Sequence, residues 1–79
     1  MMQRIFEAMA GAKDGMNYVQ IFGEVGRATQ NGILILCGGV SLLIPRLYIK
    51  DGHMVRRGDT GIEVSEKWLF ENDSAEWIA

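Results

Sequence analysis

Along residues 3–13 the apolar side chains Ile5, Phe6 and Met9, with Ala12 or Lys13, recur at helical spacing on one face. Ala8 and Ala10 favour the same state, because alanine loses no side-chain entropy in a helix. Asp14-Gly15 supplies a stop, since glycine takes the left-handed cap without a Cβ clash. The pattern therefore predicts an N-terminal helix. Residues 17–22 then change period: Tyr18, Gln20 and Phe22 alternate with Val19 and Ile21, which predicts a strand. Residues 23–32 are turn-rich and read as a loop, or as the start of a loosely paired strand. They end in Asn31-Gly32, a strong turn dipeptide ahead of a β-branched run. Residues 33–37 read as a buried strand, Gly38-Gly39 as a turn or bulge, and residues 40–44 as a second short strand.

The clearest local signal lies further on. Residues 46–50 and 53–57 flank Asp51-Gly52 and predict a two-residue hairpin. That register pairs Lys50 with His53, Ile49 with Met54, Tyr48 with Val55, Leu47 with Arg56 and Arg46 with Arg57. Like charges directly opposite one another are destabilising. The Arg46/Arg57 pair either splays into water or holds an anion, which would be an acidic side chain from residues 59–76 or a phosphate. Residues 58–61 read as a turn and 62–64 as a short strand. Ser65 caps a helical turn over residues 66–70, with Glu66 early in the turn. Asn72-Asp73 closes it, and residues 74–79 read as a turn and a short strand. The elements sum to one α+β domain over residues 1–79: an N-terminal helix packed on a twisted antiparallel sheet.

Composition adds a constraint. The chain has 79 residues, 48% hydrophobic and 23% charged, which describes a globular chain. A single core of this size yields only ~3–5 kcal/mol, and small domains usually add disulfides, a metal or oligomerisation. Cys37 is the one cysteine and His53 the one histidine. No intrachain disulfide can form, and a tetrahedral zinc site lacks its ligands. The expectation is a homo-oligomer, dimer or tetramer, with no metal and no cofactor. Cys37 in an apolar run reads as a buried, inert thiol of a cytoplasmic protein. The N-terminus carries Glu7 and breaks its apolar run early, unlike a signal peptide. The apolar stretch 33–44 holds Gly38, Gly39 and Ser41 and falls short of the ~20 residues a membrane helix needs.

Charge is placed unevenly. Residues 1–58 carry seven basic and four acidic side chains, net +3; residues 59–79 carry one basic and six acidic, net −5. The acidic end argues against a nucleic-acid binder, whose affinity comes from neutralising phosphates. Arg46, Lys50, Arg56 and Arg57 form a local basic cluster.

Signals for catalysis are absent. Neither GxxxxGK[ST] nor GxGxxG occurs, and Ser41, Ser65 and Ser74 lack a GxSxG elbow. His53 sits beside the expected hairpin turn, exposed to solvent. Glu71, Asp73 and Glu76 read as a solvated acidic face. Trp68, Phe70 and Trp77 fall within ten residues, beside Asp73. They are either core packing or a stacking wall for a planar ligand, with a carboxylate to accept its hydrogen bonds.

Three segments occur together: Phe6-Glu-Ala-Met9 with Lys13-Asp-Gly15, then Pro45-Arg-Leu-Tyr-Ile-Lys-Asp-Gly52, then Ser65 followed by Asp73-Ser-Ala-Glu-Trp77. This order resembles the small phage proteins of the Thoeris anti-defence 2 family. The family carries an F-x-x-A-L…G helix, a P-x-L-x-M-K-x…G strand and a W-x-x-S-x-x-D-x-x-A-x-D-W end. The chain departs from it in four places, one of them Glu76, which stands where the family has the Asp before its last Trp. Tyr18–Phe22 lacks the early tryptophan, the Asp-to-Ala spacing is compressed to Asp73-Ser-Ala75, and Trp68 follows Ser65 instead of preceding it.

The resemblance implies a homo-oligomeric sponge that binds a cyclic-nucleotide immune signal in the host cytoplasm without cleaving it. Asp73 would then be a polar ligand contact and Trp77 a structural or stacking group. Phe22 would stand in for the early tryptophan. Composition adds Trp68, and the hairpin register adds Arg46, Tyr48, Lys50 and Arg57. The expected protein is thus not an enzyme. The rival expectation is an inhibitor that blocks a host protein complex through its acidic C-terminal surface, or a structural subunit of a larger complex.

Overall fold

The computed structural model describes residues 16–79. Within them lie five strands: β1 (Tyr18–Gln20), β2 (Glu24–Ala28), β3 (Gly32–Cys37), β4 (Val40–Pro45) and β5 (Glu63–Ser65). One six-residue helix follows, α1 (Glu66–Glu71). Single 3-10 turns cover Arg46–Tyr48, Gly52–Met54 and Ala75–Trp77. β2, β3 and β4 form an antiparallel meander, and β1 pairs with β5 in a second antiparallel sheet. This corrects the α+β expectation. The described residues are dominated by antiparallel strands in two sheets, with one short helix at the C-terminal end and no helical layer. The helix expected over residues 3–13 lies outside the described residues.

The run 32–45 folds as its composition dictates. β-branched and leucine side chains suit a pleated surface, and period two sends Ile33 and Ile35 inward while Leu36 points out. Gly38 and Gly39 have φ of +59° and +85°. Positive φ at both central residues is what a two-residue hairpin of matching twist requires, and glycine meets it without strain. Cys37 pairs with Val40 at the turn, and the ladder runs on to Gly32 opposite Pro45. Cys37 is therefore exposed at the hairpin end and not buried. Residues 23–28 take the paired form of the two readings, as β2, with a bulge at Gly26 between Val25 and Arg27.

The hairpin expected over residues 46–57 does not form. Asp51 does adopt φ +53°, but Gly52 then opens a 3-10 turn. Gly52 is buried, and a Cβ there would collide with the Arg46 carbonyl oxygen, so its glycine serves close approach and not turn handedness. Arg46 does not face Arg57. Its guanidinium turns inward and donates to the carbonyls of Thr29 (2.6 Å), Gly52 and Val55 (3.1 Å). Charge-assisted bonds to carbonyls that the strand ladder leaves open outweigh the cross-strand pairing the alternation suggested. Ile49 instead bridges to Val64 of β5, while Leu47 and Met54 stay exposed.

The two sheets close over one core. It comprises Ile21, Val25, Ile33, Ile35, Ile44, Ile49, Val55, Ile62, Val64, Trp68, Leu69 and Trp77. Backbone bonds tie the connecting segments in: Val25 N–H of β2 to Asp59 O (2.9 Å), Lys50 N–H to Glu63 O of β5 (2.9 Å) and Phe22 N–H to Trp77 O (2.8 Å). The chain end completes the second sheet, with Ile78 bridged to Ile21. Among the described residues no helix is long and apolar enough to cross a membrane.

Candidate functional site

Ser65 is the pivot of the site. It ends β5, and its Oγ accepts a hydrogen bond from the Trp68 backbone N–H at 3.2 Å, capping α1 as the sequence predicts. The cap fixes the phase of the helix. Trp68 and Leu69 turn into the core, and Phe70 and Glu71 turn out. Asn72 then closes α1: its side-chain amide donates to Trp68 O at 2.8 Å.

Trp68 meets Tyr48 from the Arg46–Tyr48 turn. Their rings are stacked, with centroids 5.9 Å apart and planes 27° from parallel. The pair forms one wall of an open hollow of about 680 Å³. Met16, Asn17 and Ser65 line it from the strand side, and Glu66, Lys67, Phe70 and Glu71 line it from the helix. Phe70 is 59% exposed, so its ring is free to meet an incoming planar group. Two carboxylates and one ammonium stand around an aromatic wall, so the hollow can stack a ring and accept hydrogen bonds from it.

The remaining expected site residues do not converge on this hollow. Arg46 and Lys50 line a different one of about 400 Å³ with Tyr18 and His53. Arg46 is already committed to backbone carbonyls. Lys50 Nζ stands 3.9 Å from Glu63, an exposed pair of small energetic value. Phe22 and Trp77 line a third, smaller hollow of about 230 Å³ with Cys37, Val40 and Glu76. Trp77 is buried and gives its carbonyl to Phe22, which is a packing role. Arg57 is exposed in the turn after Val55, and the Arg46/Arg57 anion pair is absent. Asp73 is exposed with φ +54°, and its N–H donates to Phe70 O at 3.3 Å. It ends the helix by taking the left-handed conformation that Asp tolerates. It is not among the residues lining the Tyr48–Trp68 hollow.

Of the eight expected residues, the fold thus joins Tyr48 to Trp68, Arg46 to Lys50 and Phe22 to Trp77, at three separate places. Sequence reasoning missed Glu66, Lys67 and Asn17, and placed Phe70 only within an aromatic cluster that was either core or stacking wall. The capping Ser65 was the available signal, because it sets which side chains of residues 66–71 face outward. Among the described residues no three His, Cys, Asp or Glu side chains stand together as a metal-ligand set. Comparison with family models, curated proteins and solved structures finds no match to this chain.

Proposed function

We propose that this protein binds a nucleotide signal, a cyclic nucleotide, and sequesters it without chemical change, as an anti-defence protein of a phage would in the host cytoplasm. The observation that carries the reading is the stacked Tyr48–Trp68 pair at the wall of an open hollow. A base lies against this wall, with the exposed Phe70 ring beside it. Base–aromatic stacking contributes ~1–3 kcal/mol per base. Glu66 and Glu71 accept hydrogen bonds from ribose hydroxyls or an exocyclic amine, and Lys67 meets the phosphate. The hollow's charged rim carries two carboxylates and one ammonium, so affinity comes from base and sugar more than from phosphate.

The test is a thermal-shift and titration series against cyclic mono- and dinucleotides. A bound compound raises the melting temperature by mass action, and mass spectrometry after heating recovers it intact. Phe70→Ala leaves the core untouched and weakens binding about tenfold, the equivalent of ~1.4 kcal/mol. If no compound of the panel shifts the protein, or if a linear product accumulates, the reading is wrong. A second reading is favoured by the exposed carboxylates of Glu71, Asp73 and Glu76. These suit an inhibitor that docks on a basic protein surface, and such a protein shifts with no nucleotide.

A further inference from the structure

The two edges of the β2–β3–β4 sheet are unlike. The outer edge of β2 is covered: Val25 N–H donates to Asp59 O, Gly58 N–H donates to Val25 O, and Glu24 bridges to Thr60. It also carries charged side chains and a bulge, the usual protections of a sheet edge. β4 has none of these. Its sequence, Val-Ser-Leu-Leu-Ile-Pro, contains no charge, and its register to β3 is unbroken.

The direction of its free backbone groups follows from the ladder. Arg46 N–H donates to Asn31 O, continuing the rungs at Val40, Leu42 and Ile44 toward β3. Alternate residues point their N–H and C=O groups the other way. Ser41 and Leu43 therefore present theirs at the outer edge, where no backbone partner stands among the described residues. Pro45, which has no N–H, ends the row.

We propose that β4 pairs antiparallel with β4 of a second copy of this chain, joining two three-stranded sheets into one. The edge is complementary to itself. Ser41 of one copy faces Leu43 of the other, each pair exchanging N–H···O=C bonds, with donor dipoles set against acceptor dipoles. Leu42 meets its own counterpart on the two-fold axis, and Val40 meets Ile44. An uncharged strand meets no like charge when it faces its own copy.

The side chains beside this edge are those a partner would cover: Leu43 is 64% exposed and Val40 59%.

The register gives a sharp test. Residues facing each other across a two-fold axis in a non-hydrogen-bonded pair have Cα atoms about 4.5 Å apart, within disulfide range. In the full chain carrying Cys37→Ser, Leu42→Cys should form an interchain disulfide under mild oxidation. Val40→Cys should not, because its counterpart lies roughly 13 Å away along the strand. Light scattering on the parent should return twice 8.8 kDa, and Leu43→Lys, altering a side chain already exposed, should return the monomer. A monomeric parent overturns the proposal, including the case in which residues 1–15 of the same chain cover the edge. Equal cross-linking of both cysteine variants overturns the register and with it the pairing.

Discussion

Arg46 shows how one side chain can redirect a segment. The alternation of residues 46–57 favours a hairpin, yet a guanidinium with five donors in a fixed fork can satisfy several carbonyls at once. It reaches Thr29 in the β2–β3 turn and Gly52 and Val55 in one 3-10 turn and its cap, two parts of the chain far apart in sequence. Hydrogen bonds to a charged group contribute roughly 1.5–3 kcal/mol. Arg46→Ala should therefore lower stability by about 2 kcal/mol, read as a fall in the urea midpoint with unchanged slope. Arg46→Lys should rescue little, because a single ammonium cannot span the fork. Arg57→Ala, at an exposed site with no salt bridge among the described residues, should stay within ~0.5 kcal/mol. Equal effects of Arg46→Ala and Arg57→Ala would remove Arg46 from this role. The sequence marks Arg46 as a cation in a basic cluster; which groups it serves depends on two distant turns meeting.

At the scale of elements, two turn dipeptides compete for hairpins, and the fold uses each differently. Gly38-Gly39 makes the tight turn because both residues hold positive φ and a Cβ on either would stand in open space. Any penalty for substitution there is conformational, not steric. Gly38→Ala should cost ~1–2 kcal/mol, whereas Gly38→Asn should cost much less, since asparagine tolerates the left-handed region. Thermal melts of the two variants decide it; equal losses would mean that side-chain contacts, and not φ, govern the turn. Asp51-Gly52 carries the same local signal but answers to tertiary packing against the Arg46 carbonyl. β3, β4, the Ser65 cap and the Asn72-Asp73 stop were legible because period-two burial and capping are local effects. That Trp77 and Phe22 would stand apart from the Tyr48–Trp68 hollow was not legible, because an aromatic residue reads the same whether it packs a core or faces a ligand.

At the scale of the whole molecule, the sheets share a core of isoleucine, valine, leucine and tryptophan around Leu69, which is fully buried. A core this small leaves little margin. Leu69→Ala, at ~2–5 kcal/mol for a buried leucine, should consume most or all of it. Circular dichroism and limited proteolysis should find that variant largely unfolded at low concentration. A variant that melts cooperatively within a few degrees of the parent would place the main source of stability elsewhere. Because pairing through β4 binds only folded chains, the parent's melting temperature should also rise with protein concentration.

The sequence by itself determined the strand run 32–45, its Gly38-Gly39 turn, the Ser65-capped helix and the absence of a disulfide within these 79 residues, because each depends on neighbours within a few residues or on a count. Tertiary structure alone decided that residues 46–57 would be two 3-10 turns around a guanidinium, that Tyr48 would stack on Trp68, and that Asp73, Trp77 and Arg57 would stand apart from them. Those outcomes turn on groups far apart in the chain competing for the same carbonyls and the same core volume, and no local pattern records which of them wins.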